Sequence, residues 1–91
     1  MLKWKTMSLL KKICDLDYRV LKCFFENLLL LHIFDSSKKH QLAFLHKELG
    51  LLKSELLCMH PEYIDVEDFN YYLQVYEKYL AEAETYFKQL Q

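Results

Sequence analysis

The sequence holds one glycine and one proline in 91 residues. Sheets and long loops need turn-forming residues at each reversal, so this scarcity excludes a strand-rich or loop-rich fold. Long apolar runs are missing as well. The uncharged core of the oiliest region, Asn27 to Phe34, falls far short of the ~20 residues needed to span a bilayer. Lys3, Lys5, Lys11 and Lys12 interrupt any secretory leader core. Three cysteines, Cys14, Cys23 and Cys58, are an odd number without a leader, so the expectation is reduced thiols and a cytoplasmic chain. Neither they nor the four histidines fall at C-x-x-C or H-x-x-x-H spacing. Cys58 and His60 come nearest to a ligand pair. No nucleophile lies beside a base on a loop scaffold. The sequence therefore predicts no catalytic residue, no cofactor and no metal.

What remains is apolar residues at helical spacing. Hydrophobic residues make up 53% of the chain and charged ones 27%, which fits a globular domain. The spacing predicts a single all-α domain over 1–91, with helices at about 3–34, 38–59 and 66–90 forming an antiparallel three-helix bundle. The bundle would have four helices if the first broke near Cys14–Asp17. In the first segment Leu10, Ile13, Asp17, Val20, Phe24, Leu28 and Leu31 recur in three- and four-residue steps. A second line, Leu9, Ile13, Leu16, Val20 and Cys23, runs beside it. Lys11–Asp15, Asp15–Arg19 and Lys22–Glu26 are spaced for ion pairs along the helix. Asp35-Ser36-Ser37 and Asp65 are capping signals, and Ile64 with Phe69 makes a hydrophobic staple. Leu42, Leu45, Leu49, Leu52, Leu56 and Met59 form one heptad seam. Val66, Phe69, Leu73, Tyr76, Leu80, Ala83, Phe87 and Leu90 form another, so coiled-coil-like packing is expected. Ala43, Gly50 and Ser54 near one face would admit a close helix neighbour.

Two surfaces stand out as candidate partner-binding faces. From Phe24 to Phe34 the first helix is apolar nearly all round, and so small a chain has few helices to cover it. Phe25, Leu29 and His32 belong to that region, and it is the argument for a homodimer. Six of the seven tyrosines lie after residue 62. Tyr72, Tyr79 and Tyr86 repeat every seven residues, with Tyr76 inside the seam. Tyrosine has an apolar body and a polar tip, which suits a half-buried partner surface. Charge is split as well: residues 1–60 carry ten Lys/Arg against six Asp/Glu, and 61–91 carry two against seven. That division favours pairing between helices or between chains rather than binding to nucleic acid. Lys5, Lys12, Arg19 and Lys22 form the one stripe that could follow a phosphate backbone. Met1 to Lys5, with Met7, Leu9 and Leu10, has the make-up of a peripheral membrane contact.

The run Ile13-x-x-Leu16-Asp17-x-x-Val20-Leu21-x-x-Phe24, then Glu26, with Lys38 further on and a helix ending near Glu84, resembles the all-helical chorismate mutases. Their long first helix and their dimers of interlocking helices are similar. The positions of that family's two essential arginines fall at Leu10 and Asn27 here, so what the resemblance implies is architecture. An enzyme of that kind would need a polar pocket joining Lys11, Lys38 and Glu84. Taken as a whole, the residues point to a protein–protein interaction module of adaptor, chaperone or inhibitor type.

Overall fold

The computed structural model describes residues 4–91, and side chains from Lys5 onward. Expectations that rest on Met1, Leu2, Lys3 and the Trp4 side chain lie outside the described residues. The order of elements is α1 (Trp4–Glu26), α2 (Leu28–Ile33), α3 (Ser36–Cys58), a 3-10 turn over Pro61–Tyr63, and α4 (Val66–Leu90). No strand occurs among the described residues, so the all-α expectation holds.

The first long helix is broken, but at Asn27 rather than near Cys14–Asp17. Asn27 leaves the helical range at φ −113°, ψ 18°. Its position continues the buried line Thr6, Leu9, Ile13, Leu16, Val20 and Cys23, so a polar side chain lands where the core expects an apolar one. The Asn27 amide donates to the Cys23 carbonyl at 2.9 Å, and its oxygen accepts from Gln91 Nε2 at 3.4 Å. Asn27 therefore stays 6% exposed and fully hydrogen-bonded, as a buried amide must.

The buried line of α1 is the second of the two readings. Leu9, Leu16 and Cys23 face inward with Ile13 and Val20, while Leu10, Asp17 and Phe24 sit at the edge. Asp17 pairs with His46 Nδ1 of α3 at 2.6 Å. Membrane contact by the front of α1 loses Leu9, which is buried.

Asp35 caps α3, its carboxylate accepting from the backbone of Ser37 at 2.9 Å and Lys38 at 3.3 Å. The helix starts at Ser36 for that reason, two residues ahead of the expected boundary, and ends at Cys58. Gly50 lies inside it without a break. A Cβ on Gly50 would meet nothing within 4 Å, so no close helix neighbour uses that glycine. Asp65 caps α4 through Glu67 and Asp68, and α4 spans the predicted residues.

Hydrogen bonds between helices fix their order. Lys12 reaches Asn70, Arg19 reaches Glu77 and Glu84, and Asn27 meets Gln91, so α1 and α4 run parallel. Gln41 bonds the Tyr79 carbonyl and Glu48 the Tyr76 hydroxyl, so α3 runs antiparallel to α4. The core is shared by Leu9, Ile13 and Val20 of α1, Leu42, Leu45, Leu49 and Leu56 of α3, and Leu80, Ala83 and Phe87 of α4. The body is elongated, 46 × 18 × 16 Å.

Candidate interaction surface

Arg19 links the basic front of the sequence to its acidic back. It leaves Asp15, its expected neighbour on α1, and reaches across to Glu84 at 2.6 Å and Glu77 at 3.3 Å. A guanidinium is suited to holding two carboxylates at once. The Glu84 hydrogen bond, opposed by desolvation and assisted by both negative charges, raises the Arg19 pKa above its ordinary value. Of the expected pairs within α1, Lys22–Glu26 forms, at 4.0 Å. Of the basic stripe, Lys12 is engaged by Asn70, Arg19 by α4 and Lys22 by Glu26.

Lys11, Lys38 and Glu84 do not converge. Glu84 lines a cleft between α1 and α4 with Arg19, Lys22, Cys23, Lys88 and Gln91. Lys38 instead lies over the Tyr86 ring, 5.2 Å from its centre, and donates to Gln41. Lys11 is exposed two turns before Arg19. Among the described residues, no group of three His, Cys, Asp or Glu side chains could hold a metal ion, and no helix is long and apolar enough to cross a membrane.

The two expected surfaces lie on different helices, one on α1 and α2 and the other on α4. On α1 and α2, Phe25 is 68% exposed and Leu29 70%. Leu29 and His32 line a shallow apolar depression with Leu28, Leu31 and Lys39. Leu31 is buried against the core, so the all-round apolar stretch is covered on one side only. Phe25 stands one turn before Leu29, edge-on to the half-buried Phe24 with ring centres 5.9 Å apart. Ile33 and Phe34 extend this exposed surface toward the α3 cap.

The tyrosines occupy the flank of α4 that meets α3, and they divide into two kinds. Tyr76 and Tyr86 are held by their own chain. The Tyr76 hydroxyl donates to Glu48 at 3.3 Å; burial first, and then the Glu48 charge, push its phenol pKa up. Tyr86 is raised by desolvation and by its hydrogen bond to Asp35. The hydrogen bonds from Ser37 and Lys38, the former the leading cause, hold Asp35 below the usual carboxylate range, and Tyr86 adds to this. Tyr72 and Tyr79, by contrast, keep nearly half of their surface exposed.

Sequence reasoning missed two members of this surface. Phe44 and Leu51 are 54% and 52% exposed. Each lies three residues past an α3 residue that bonds α4, Gln41 and Glu48, and so shares their flank. The signal was present as the line Gln41, Phe44, Glu48, Leu51, Glu55, in three–four steps beside the buried seam. Comparison with protein families, with characterised proteins and with solved structures gives no match for the chain.

Proposed function

We propose that the chain is a small helical protein–protein interaction module of adaptor, chaperone or inhibitor type. It works in the cytoplasm with reduced thiols, and without catalysis. Its three long helices pack in the manner of a coiled coil, and that rigid body presents apolar faces to a protein partner or to a second copy of itself.

One observation carries the reading. Phe25 and Leu29 are more than two-thirds exposed on a chain whose core is otherwise closed. Single exposed apolar residues are ordinary; contiguous ones mark contact surfaces. Here Phe25, Leu28, Leu29, Ile33 and Phe34 follow one another along α1 and α2. The Tyr72 and Tyr79 flank, with Phe44 and Leu51, supplies a second face.

The test is photo-crosslinking in cells. A benzophenone side chain at position 25, 29 or 72 should give a discrete protein adduct, and one at the exposed Gln89 should not. An adduct of twice the chain mass identifies a second copy; any other discrete mass identifies a different partner. If positions 25, 29 and 72 label no more specifically than position 89, the interaction reading fails.

A further inference from the structure

We infer that the outward face of α1 is a self-complementary docking surface, and that its occupant is a second copy of this chain lying antiparallel across it. The inference rests on the interaction reading and adds the identity and direction of the partner.

Met7, Tyr18, Phe25 and Leu29 are all exposed. Met7, Tyr18 and Phe25 follow one another at eleven and seven residues, so each returns to nearly the same side of α1; Leu29 continues the spacing four residues on, past the break at Asn27, at the start of α2. Cys14, exposed as well, falls seven residues after Met7 and joins them. This stripe lies opposite the buried line of α1, which turns Leu9, Ile13, Leu16 and Val20 inward. None of the described residues buries it.

Its two flanks differ. The flank nearer α4 carries Lys11, Asp15, Lys22 and Glu26, all exposed; Lys22 and Glu26 meet each other at 4.0 Å within the chain, a long contact that pairing across the axis would exchange for two intermolecular ones. The other carries Leu10, Leu21 and Phe24, with Asp17 among them already held by His46 at 2.6 Å. When two helices pair in parallel about a two-fold axis, opposite flanks meet, and the charged flank would face this mostly apolar one. When they pair antiparallel, like flanks meet, and charge faces charge.

The order of those charges matches the antiparallel arrangement in detail. Along α1 the signs run plus, minus, plus, minus at spacings of four, seven and four. A two-fold axis crossing between Tyr18 and Arg19 sets Lys11 opposite Glu26 of the partner subunit and Asp15 opposite the partner's Lys22. The same two pairs repeat on the far side of the axis. One axis therefore satisfies four ion pairs.

That axis was placed by charge alone, yet it also aligns the apolar stripe. Met7 comes level with the partner's Leu29, Tyr18 with the partner's Tyr18, and Cys14 with Phe25 of the partner subunit. Each match holds to within two residues, about 3 Å at 1.5 Å per residue. Charge order and apolar spacing are independent features of α1, and both select the same partner, direction and register. Electrostatic matching of this kind fixes register and excludes wrong partners.

Sedimentation velocity over micromolar concentrations should show a dimer for the native chain. Lys11→Glu with Lys22→Glu makes the flank wholly acidic, and Asp15→Lys with Glu26→Lys makes it wholly basic. Each double variant should keep its helical circular dichroism and weaken dimerisation by about tenfold or more; the two mixed should dimerise again. Direction is read by disulfide trapping with Cys14→Ser and Cys58→Ser as background. A mixture of Met7→Cys and Leu29→Cys chains treated with diamide should give the mixed disulfide. A native monomer at 100 µM overturns the inference, as do folded charge variants that dimerise like the native chain. Homodisulfides through position 7 would show parallel pairing and overturn it too. A native monomer beside a discrete heterologous adduct at position 25 would end this inference and leave the interaction reading standing.

Discussion

Gly50 is helical and exposed, and a Cβ there would meet open space. Its backbone takes no left-handed conformation. The glycine therefore only adds freedom to the unfolded chain and removes a good helix former. Gly50→Ala should stabilise the fold by about 0.5–1 kcal/mol. Thermal unfolding followed at the helical signal will show this as a Tm higher by several degrees; an unchanged or lower Tm would mean that α3 has a neighbour at this position. Tyr76 makes a second residue-scale case. Burial and then the Glu48 carboxylate raise its phenol pKa above the ordinary 10. The folded state thus holds this proton more tightly than the unfolded state. The resulting stability is complete below about pH 10 and is lost as the pH climbs through the raised value. Tyr86 is displaced in the same direction. Tyr76→Phe should remove a late-ionising phenol from the ultraviolet titration of the folded chain. A titration unchanged at its alkaline end would contradict the hydrogen bond to Glu48.

At the scale of elements, the helices whose register depended on one apolar line were readable from sequence. The lines Leu42 to Leu56 and Phe69 to Phe87 are the buried ones. Asp65, a capping residue ahead of the second, fixed the start of α4. The first helix was ambiguous because its two candidate lines share Ile13 and Val20. The choice fell to Leu9, Leu16 and Cys23, since the alternative would have buried Asp17, which instead meets His46. The break at Asn27 was hidden for a related reason. Asparagine interrupts a helix mildly by propensity, and only its arrival at a core position forces the backbone to accommodate its hydrogen bonds. The tyrosine flank was legible by its repeat; Phe44 and Leu51 lay on the three–four line from Gln41 to Glu55, which only the bonds of Gln41 and Glu48 to α4 assign to that flank. Arg19 joins α1 to α4 in a way no local spacing encodes, through Glu77 and Glu84. The site is partly exposed, and partly exposed pairs are weakened by solvent and salt. Arg19→Met should cost about 1 kcal/mol in dilute buffer, and much less in 1 M salt, where the screening length is about 3 Å. Urea midpoints at both salt concentrations measure this; a cost that does not fall with salt would assign the role of Arg19 to packing of its stem.

For the molecule as a whole, the basic front and acidic back of the sequence fold against each other. Arg19 of α1 reaches the carboxylates of α4, which runs parallel to it. The net charge of −1 thus conceals an internal pairing of the two halves of the sequence. Closure of the body can be read from its thiols. Cys14 and Cys58 are exposed and Cys23 is buried. Burial pushes the Cys23 thiol pKa up; the charges of Glu84 and Glu26 push the same way, and the Asn27 hydrogen bond opposes them. The thiolate is the reactive form, so Cys23 is slowed twice, by access and by ionisation. Ellman's reagent at pH 8 should find two prompt thiols in the native chain and all three in denaturant. Phe87 is fully buried and lines the same cleft as Cys23. Phe87→Ala should cost about 3–5 kcal/mol, a large part of the 5–15 kcal/mol of a typical domain. The third thiol should then react faster in step with the lost stability, because its exposure requires the helices to open together. Three prompt thiols in the native chain would show instead that α1 separates from α4 without unfolding, and that the core does not behave as one unit.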